Sequence, residues 1–129
     1  LHLLPWGMDT DCGADNQVAR RRNGRAEILP GRFDALGPEL LTPRPECAVM
    51  VMDELGFLER NDLRFQEAVL CALDGPLPVL GVIKPRQEPF LDRVRAHAGV
   101  QLVTVTPENR DDLRTSELLA AWCASVRSE

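Results

Sequence analysis

Two adjacent carboxylates, Asp53 and Glu54, close an apolar run, Ala-Val-Met-Val-Met at 48–52, that reads as a buried strand. Side chains on a strand alternate between faces, so neighbouring acids at its end can do different work. One can hold a hydrated magnesium ion while the other polarises a water for attack on a phosphate. A buried strand that simply ends in an exposed polar turn has the same pattern, and the acid pair alone does not separate the two. Lys84 and Arg86, on either side of Pro85, follow a second apolar run, and Glu108-Asn109-Arg110-Asp111 follow a third.

The elements that must carry these groups follow from the apolar spacing. Residues 47–52 read as a strand, and Asp62 opens a helix with Phe65, Ala68, Val69, Ala72 and Leu73 at helical intervals, stopped by Gly75-Pro76. Next come a strand over 78–83, a helix over 89–97 and a strand over 100–105. Thr106 as N-cap and Pro107 at the first helical position open a terminal helix to about residue 126. Its buried stripe is Leu118, Leu119 and Trp122, and Trp6 and Trp122 read as packing anchors. Strand and helix in alternation predict an α/β fold, a parallel sheet flanked by helices, with ligands at the carboxyl ends of the strands. All three polar clusters fall at those ends. Ahead of them, residues 1–6, 17–22 and 26–29 are short candidate strands, with Asn23-Gly24 as a hairpin turn. Residues 32–41 form an amphipathic helix candidate interrupted by Gly37-Pro38.

The chain has 129 residues, 44% hydrophobic and 27% charged, which suits one globular domain over 1–129. A net charge of −5 argues against a nucleic-acid-binding surface and leaves room only for a local basic patch. Arg20, Arg21, Arg22 and Arg25 beside the hairpin turn are such a patch, a solvated face or a phosphate- or RNA-contacting one. No stretch reaches the length of a membrane span. Cys12, Cys47, Cys71 and Cys123 form no C-x-x-C pair, and the apolar settings of Cys47 and Cys71 suggest reduced, buried thiols and a cytoplasmic location. His2 and His97 match no metal-ligand spacing.

With VMDELGFLE at 51–59, FQEAVLCAL at 65–73, PVLGVIKPR at 78–86, PFLDRVRAH at 89–97 and VTVTPENRDDL at 103–113 in that order, the chain resembles the small nucleoside-triphosphatase family of P-loop proteins. The acid-ended strand is then its Walker B segment. The resemblance covers about 48–119, with weaker agreement in the hairpin region, 1–31. It implies a three-layer P-loop sandwich in which 46–129 is the Walker B and nucleotide-base half, and a magnesium-dependent hydrolysis of ATP, GTP and other nucleoside triphosphates. The chain departs from the family at one point. A phosphate-cradling loop G-x-x-x-x-G-K-[ST] needs a lysine in that setting, and the single lysine here is Lys84, between Ile83 and Pro85. The expectation is therefore a P-loop segment that lies upstream or has been lost, its strand set between those over 78–83 and 100–105.

The resemblance implies that Asp53 organises magnesium through water and that Glu54 is the general base. Glu59 matches a second family glutamate, catalytic or, as we read it, structural. Asn109 and Arg110 stand where the base or sugar would bind. Alternatively, Asn109 supports a helix start and Arg110 pairs with Asp53 or Glu54. Lys84 and Arg86 sense the terminal phosphate or form a solvated turn. The competing function is a non-catalytic module, derived from such an enzyme, that binds a nucleotide or a protein.

Overall fold

The computed structural model describes residues 1–5, 8–112 and 117–127. Strands β1 (Ala19–Arg22) and β2 (Arg25–Ile28) form an antiparallel hairpin in register from Ala19 with Ile28 to Arg22 with Arg25. Asn23 and Gly24 at its turn have φ of 49° and 75°. Two successive left-handed residues make the type I′ turn, whose twist matches that of the strands. The strand expected over 1–6 is reduced to an edge contact on this hairpin. The Leu1 ammonium donates to the Ala19 carbonyl at 2.7 Å and His2 bridges to Gln17. Trp6 falls outside the described residues.

Helix α1 (Arg32–Leu40) runs through Gly37-Pro38 instead of being interrupted there. Proline removes one N–H from the helix ladder, a loss offset where the helix packs. Here it packs through Gly37, against whose bare Cα lies the ring of Phe65 from α2 (Leu63–Asp74). Phe33 of α1 meets the same ring, centroids 5.2 Å apart. α1 also caps α2. The Asp34 carboxylate accepts the Phe65 N–H at 2.8 Å. It thus satisfies a donor that the first turn of α2 leaves open.

β3 (Met50–Leu55) and β4 (Val79–Ile83) pair in parallel, with α2 as their crossover. β3 begins at Met50 rather than at 47. Its first ladder bond runs from the Met50 N–H to the Pro78 carbonyl, and residues 47–49 have no partner opposite them. α3 (Pro89–Ala96) follows. Val18, Phe33, Met52, Leu55, Phe65, Val69, Phe90, Leu91 and Val94 form the core between sheet and helices.

Three further expectations are corrected. Residues 100–105 form no strand, and Leu102 and Val105 are exposed. No strand among the described residues offers them a ladder, and Leu80 and Val82 of β4 are likewise exposed. The last helix, α4, spans Glu117–Arg127, after turns over 107–111, with residues 113–116 outside the described part. Leu118 is exposed and Trp122 half-buried, so neither lies in a fully buried stripe. The Leu119 side chain lies outside the description. Finally, Cys71 is exposed and Cys47 only half-buried, both as free thiols. Cys71 stands about 200° round α2 from the buried Val69, on the solvent side.

Candidate functional site

The carboxyl ends of β3 and β4 hold the polar residues. Met52 pairs with Gly81 and the next pair is Leu55 with Ile83, so Asp53 and Glu54 together oppose the single residue Val82. This is a β-bulge, and it lies within β3, where a plain strand end was expected. Met52 and Leu55 bury their side chains on either side and pin the bulge to the core, which leaves both acids facing solvent. Glu54 takes φ of 63°, a left-handed conformation that costs a non-glycine residue about 1–2 kcal/mol.

Across the bulge, Lys84 donates its N–H to the Leu55 carbonyl at 2.9 Å, extending the strand pairing by one residue. That bond sets its side chain beside Glu54, with Nζ 3.1 Å from Oε1. Both side chains are about half exposed, so the pair contributes about 1 kcal/mol or less. Arg86 lies 4.6 Å over the Phe57 ring and pairs with Glu88 at 3.5 Å. Arg95 of α3 donates to the carbonyls of Lys84 and Arg86 at 2.7 and 2.8 Å and so ties down the loop between them. Asp53 is exposed, and its carboxylate makes no hydrogen bond or ion pair with any described residue.

Behind the bulge sits a buried polar knot. The Glu59 carboxylate, 3% exposed, accepts the Gly56 N–H at 2.6 Å and fixes the loop that leaves β3. Gln66 of α2 donates to the carbonyls of Glu59 and Arg60 at 3.0 and 2.9 Å. Burial pushes the Glu59 carboxyl above the ordinary carboxylate range, against the pull of the Gly56 N–H, and the nearby charges of Asp62 and Glu54 push the same way. Burial, then the charge of Asp34, raises Asp62 as well.

These shifts set a pH dependence of stability. A carboxyl raised in the fold stabilises it fully below its ordinary value, 4.5 for Glu59 and 3.8 for Asp62, and loses that contribution as pH rises through the folded value. Glu27 and Glu108 are lowered, so their contribution is complete above 4.5 and adds no slope there. The urea midpoint is therefore expected to fall as pH rises above the ordinary carboxylate values and through the raised folded ones, and to fall less in Glu59→Gln. An identical slope in that variant would remove Glu59 as its source.

The third cluster stands differently. Asn109 Oδ1 accepts the Thr106 N–H at 2.7 Å, its Nδ2 donates to the Thr104 carbonyl at 2.9 Å, and its N–H reaches Thr106 Oγ1 at 3.3 Å. This reciprocal box closes the turn that Thr106-Pro107 opens. Arg110 is exposed and pairs with neither Asp53 nor Glu54, contrary to one expected alternative. The structure thus brings Glu54, Lys84 and Arg86 to one end of the sheet beside Asp53, with Asn109 engaged in its own loop. Gln66, Arg95 and the Asp34 cap escaped sequence reading, since each acts on a backbone outside its own helix. Among the described residues no three His, Cys, Asp or Glu converge to hold a metal ion. No described helix is long and apolar enough to cross a membrane.

A family model described as "NTPase" matches residues 9–118. The chain belongs to this nucleoside-triphosphatase family of P-loop proteins. The match takes in the hairpin as well as the segment after it, and the mixed α/β architecture with its parallel pair agrees with the fold of that family. Among curated proteins, "Nucleoside-triphosphatase THEP1" of Thermofilum pendens is 41% identical over 93 residues, 70% of this chain and 51% of that protein. The protein of the same name from Natranaerobius thermophilus is 30% identical over 89 residues, 69% of this chain and 49% of its own length. That of Thermotoga petrophila is 31% identical over 68 residues. The chain spans about half the length of the relatives from T. pendens and N. thermophilus. No solved structure matches it.

Proposed function

We propose that this chain carries the metal-and-water half of a nucleoside-triphosphatase site, acting on ATP, GTP or a related triphosphate. The observation that supports this reading most is the bulge: it frees the Asp53 carboxylate and sets Glu54 against Lys84 at the carboxyl end of the parallel pair. Asp53 suits magnesium, which keeps most of its waters and needs one or two carboxylates plus phosphate oxygens. When bound, the ion would neutralise charge on the phosphates. Glu54 would take the proton of the attacking water, and its carboxylate must first leave Lys84. A half-exposed pair gives way easily to a triphosphate, whose oxygens compete for the ammonium. One exchange of partners would then neutralise the terminal phosphate and free the base. Arg86, braced on Phe57, adds a second cation at the same edge, and Arg110 is available to a base or sugar. Glu59 supports the loop that holds the acids. The free thiols suit a reducing cytoplasm.

Phosphate release from ATP, GTP and CTP with magnesium tests this reading. The 129 residues alone should show background rates, because positioning and charge neutralisation by a phosphate loop supply most of phosphoryl-transfer catalysis. The same chain extended at its N-terminus by a strand and a G-x-x-x-x-G-K-[ST] loop should turn over. In it, Asp53→Asn should raise the magnesium needed for half-maximal rate by about tenfold. An unchanged magnesium requirement would remove Asp53 from the metal site. An extended chain that binds triphosphate without releasing phosphate would favour the non-catalytic module.

A further inference from the structure

A strongly basic surface on this acidic chain lies at the hairpin tip. Arg20, Arg21, Arg22 and Arg25 fall within six residues that contain no acid, in a chain of net charge −5. The register sorts them. Arg20, Arg22, Arg25 and Glu27 share one face, and Arg21 lies on the other with Ala26. Arg20 is committed: its guanidinium grips Glu27 through two bonds of 2.8 and 3.2 Å, which occupies the only acid on that face. Arg22 and Arg25 stand directly opposite each other, exposed, and their guanidinium groups make no hydrogen bond or ion pair with any described residue. Like charges directly across an antiparallel pair repel at a Cβ separation of about 5 Å. The two-residue I′ turn holds them there, since Asn23 and Gly24 are both in the left-handed region and give the tip little freedom to splay.

We propose that Arg22 and Arg25 form a clamp for a phosphate group. Arg20 shows, in the same hairpin, that one guanidinium fork already fills a carboxylate. Two forks facing one gap call for an anion with more oxygens and more charge, and a phosphate accepts from two guanidinium groups at once. Its charge also relieves the repulsion built into the Arg22–Arg25 pair. The proposal uses neither Asp53 nor Glu54 and does not depend on the hydrolytic reading. The same group is presented by a free nucleotide and by a single-stranded nucleic acid, so the test carries both.

The experiment is a titration of the 15N-labelled chain, observing arginine Nε–Hε signals, with ATP in one arm and a mixed-sequence single-stranded RNA ten-mer in the other. Saturable shifts of Arg22 and Arg25, with Arg20 little moved, are expected. Binding in both arms would assign the isolated phosphate group as ligand, and binding in the RNA arm alone would assign the polymer. Arg25→Glu should weaken binding at least tenfold while raising the thermal midpoint, because a carboxylate opposite Arg22 replaces repulsion by attraction. Arg22→Gln should weaken it comparably. In the RNA arm, each lost contact should make the salt slope shallower by about 0.7. Non-saturating shifts spread over all arginines, or affinity that survives Arg25→Glu in a folded chain, would overturn the proposal.

Discussion

In a chain that carries a phosphate loop, Glu54→Gln is expected to lower the maximal turnover rate by about 10²–10⁴-fold while leaving nucleotide affinity within a few-fold. The amide keeps the size and the carbonyl oxygen, so it can still fill the bulge and meet Lys84. It cannot accept the proton of the attacking water. A fall in rate without a fall in binding is the signature of a group that acts only in the transition state. Single-turnover phosphate release together with a nucleotide-binding titration measures the two separately. Equal rates for the two chains would remove Glu54 from the mechanism. The left-handed backbone at this position, φ 63°, sharpens the expectation. A conformation costly to any residue with a Cβ is held at a glutamate, where glycine would relieve the strain and lose the carboxylate.

The second large effect is expected far from the acids. Gly37→Ala should destabilise the fold by about 2 kcal/mol, although alanine inside a helix normally gains up to about 1 kcal/mol over glycine. A Cβ at Gly37 would lie 2.8 Å from Phe65 Cε2 and closer still to Cδ2. That ring is buried and packed at a tilt against Phe33, so it cannot swing aside without opening the core. Separating α1 from α2 would also strain the Asp34 cap on Phe65. Urea midpoints of Gly37→Ala and of Gly13→Ala decide the matter. Gly13 has nothing within 4 Å of its Cβ position and should be near neutral. The loss should shrink in a Phe65→Leu background, where the ring is gone. Equal midpoints for the wild type and Gly37→Ala would mean that the helices pack less closely at this point.

Local chemistry made much of the architecture legible. Asn23-Gly24 dictates a tight hairpin because both positions need positive φ, and the hairpin forms in the expected place. The helix after Asp62 and that from Pro89 carry their start signals and their apolar spacing, and both form within a residue of the expected bounds. The strand pattern over 100–105 is present too but is not realised. A strand is not a property of its own residues alone: its N–H and C=O groups need a neighbour, and among the described residues that stretch has none. Gly37-Pro38 misled in the opposite direction, since a break signal in the sequence is a packing contact in the fold.

The sequence by itself determined the family. An acid pair after an apolar run and a late Asn-Arg pair, in that order, point to the family to which the chain belongs, because side-chain type and order survive any change in packing. Tertiary structure decided how those residues are disposed. The bulge follows from the register between β3 and β4, and the Glu54–Lys84 pair follows from that bulge. The burial of Glu59 follows from Gln66 and α2 closing over it. Each is a relation between backbones that no single segment contains, because register, burial and charge separation arise only when distant parts of the chain meet.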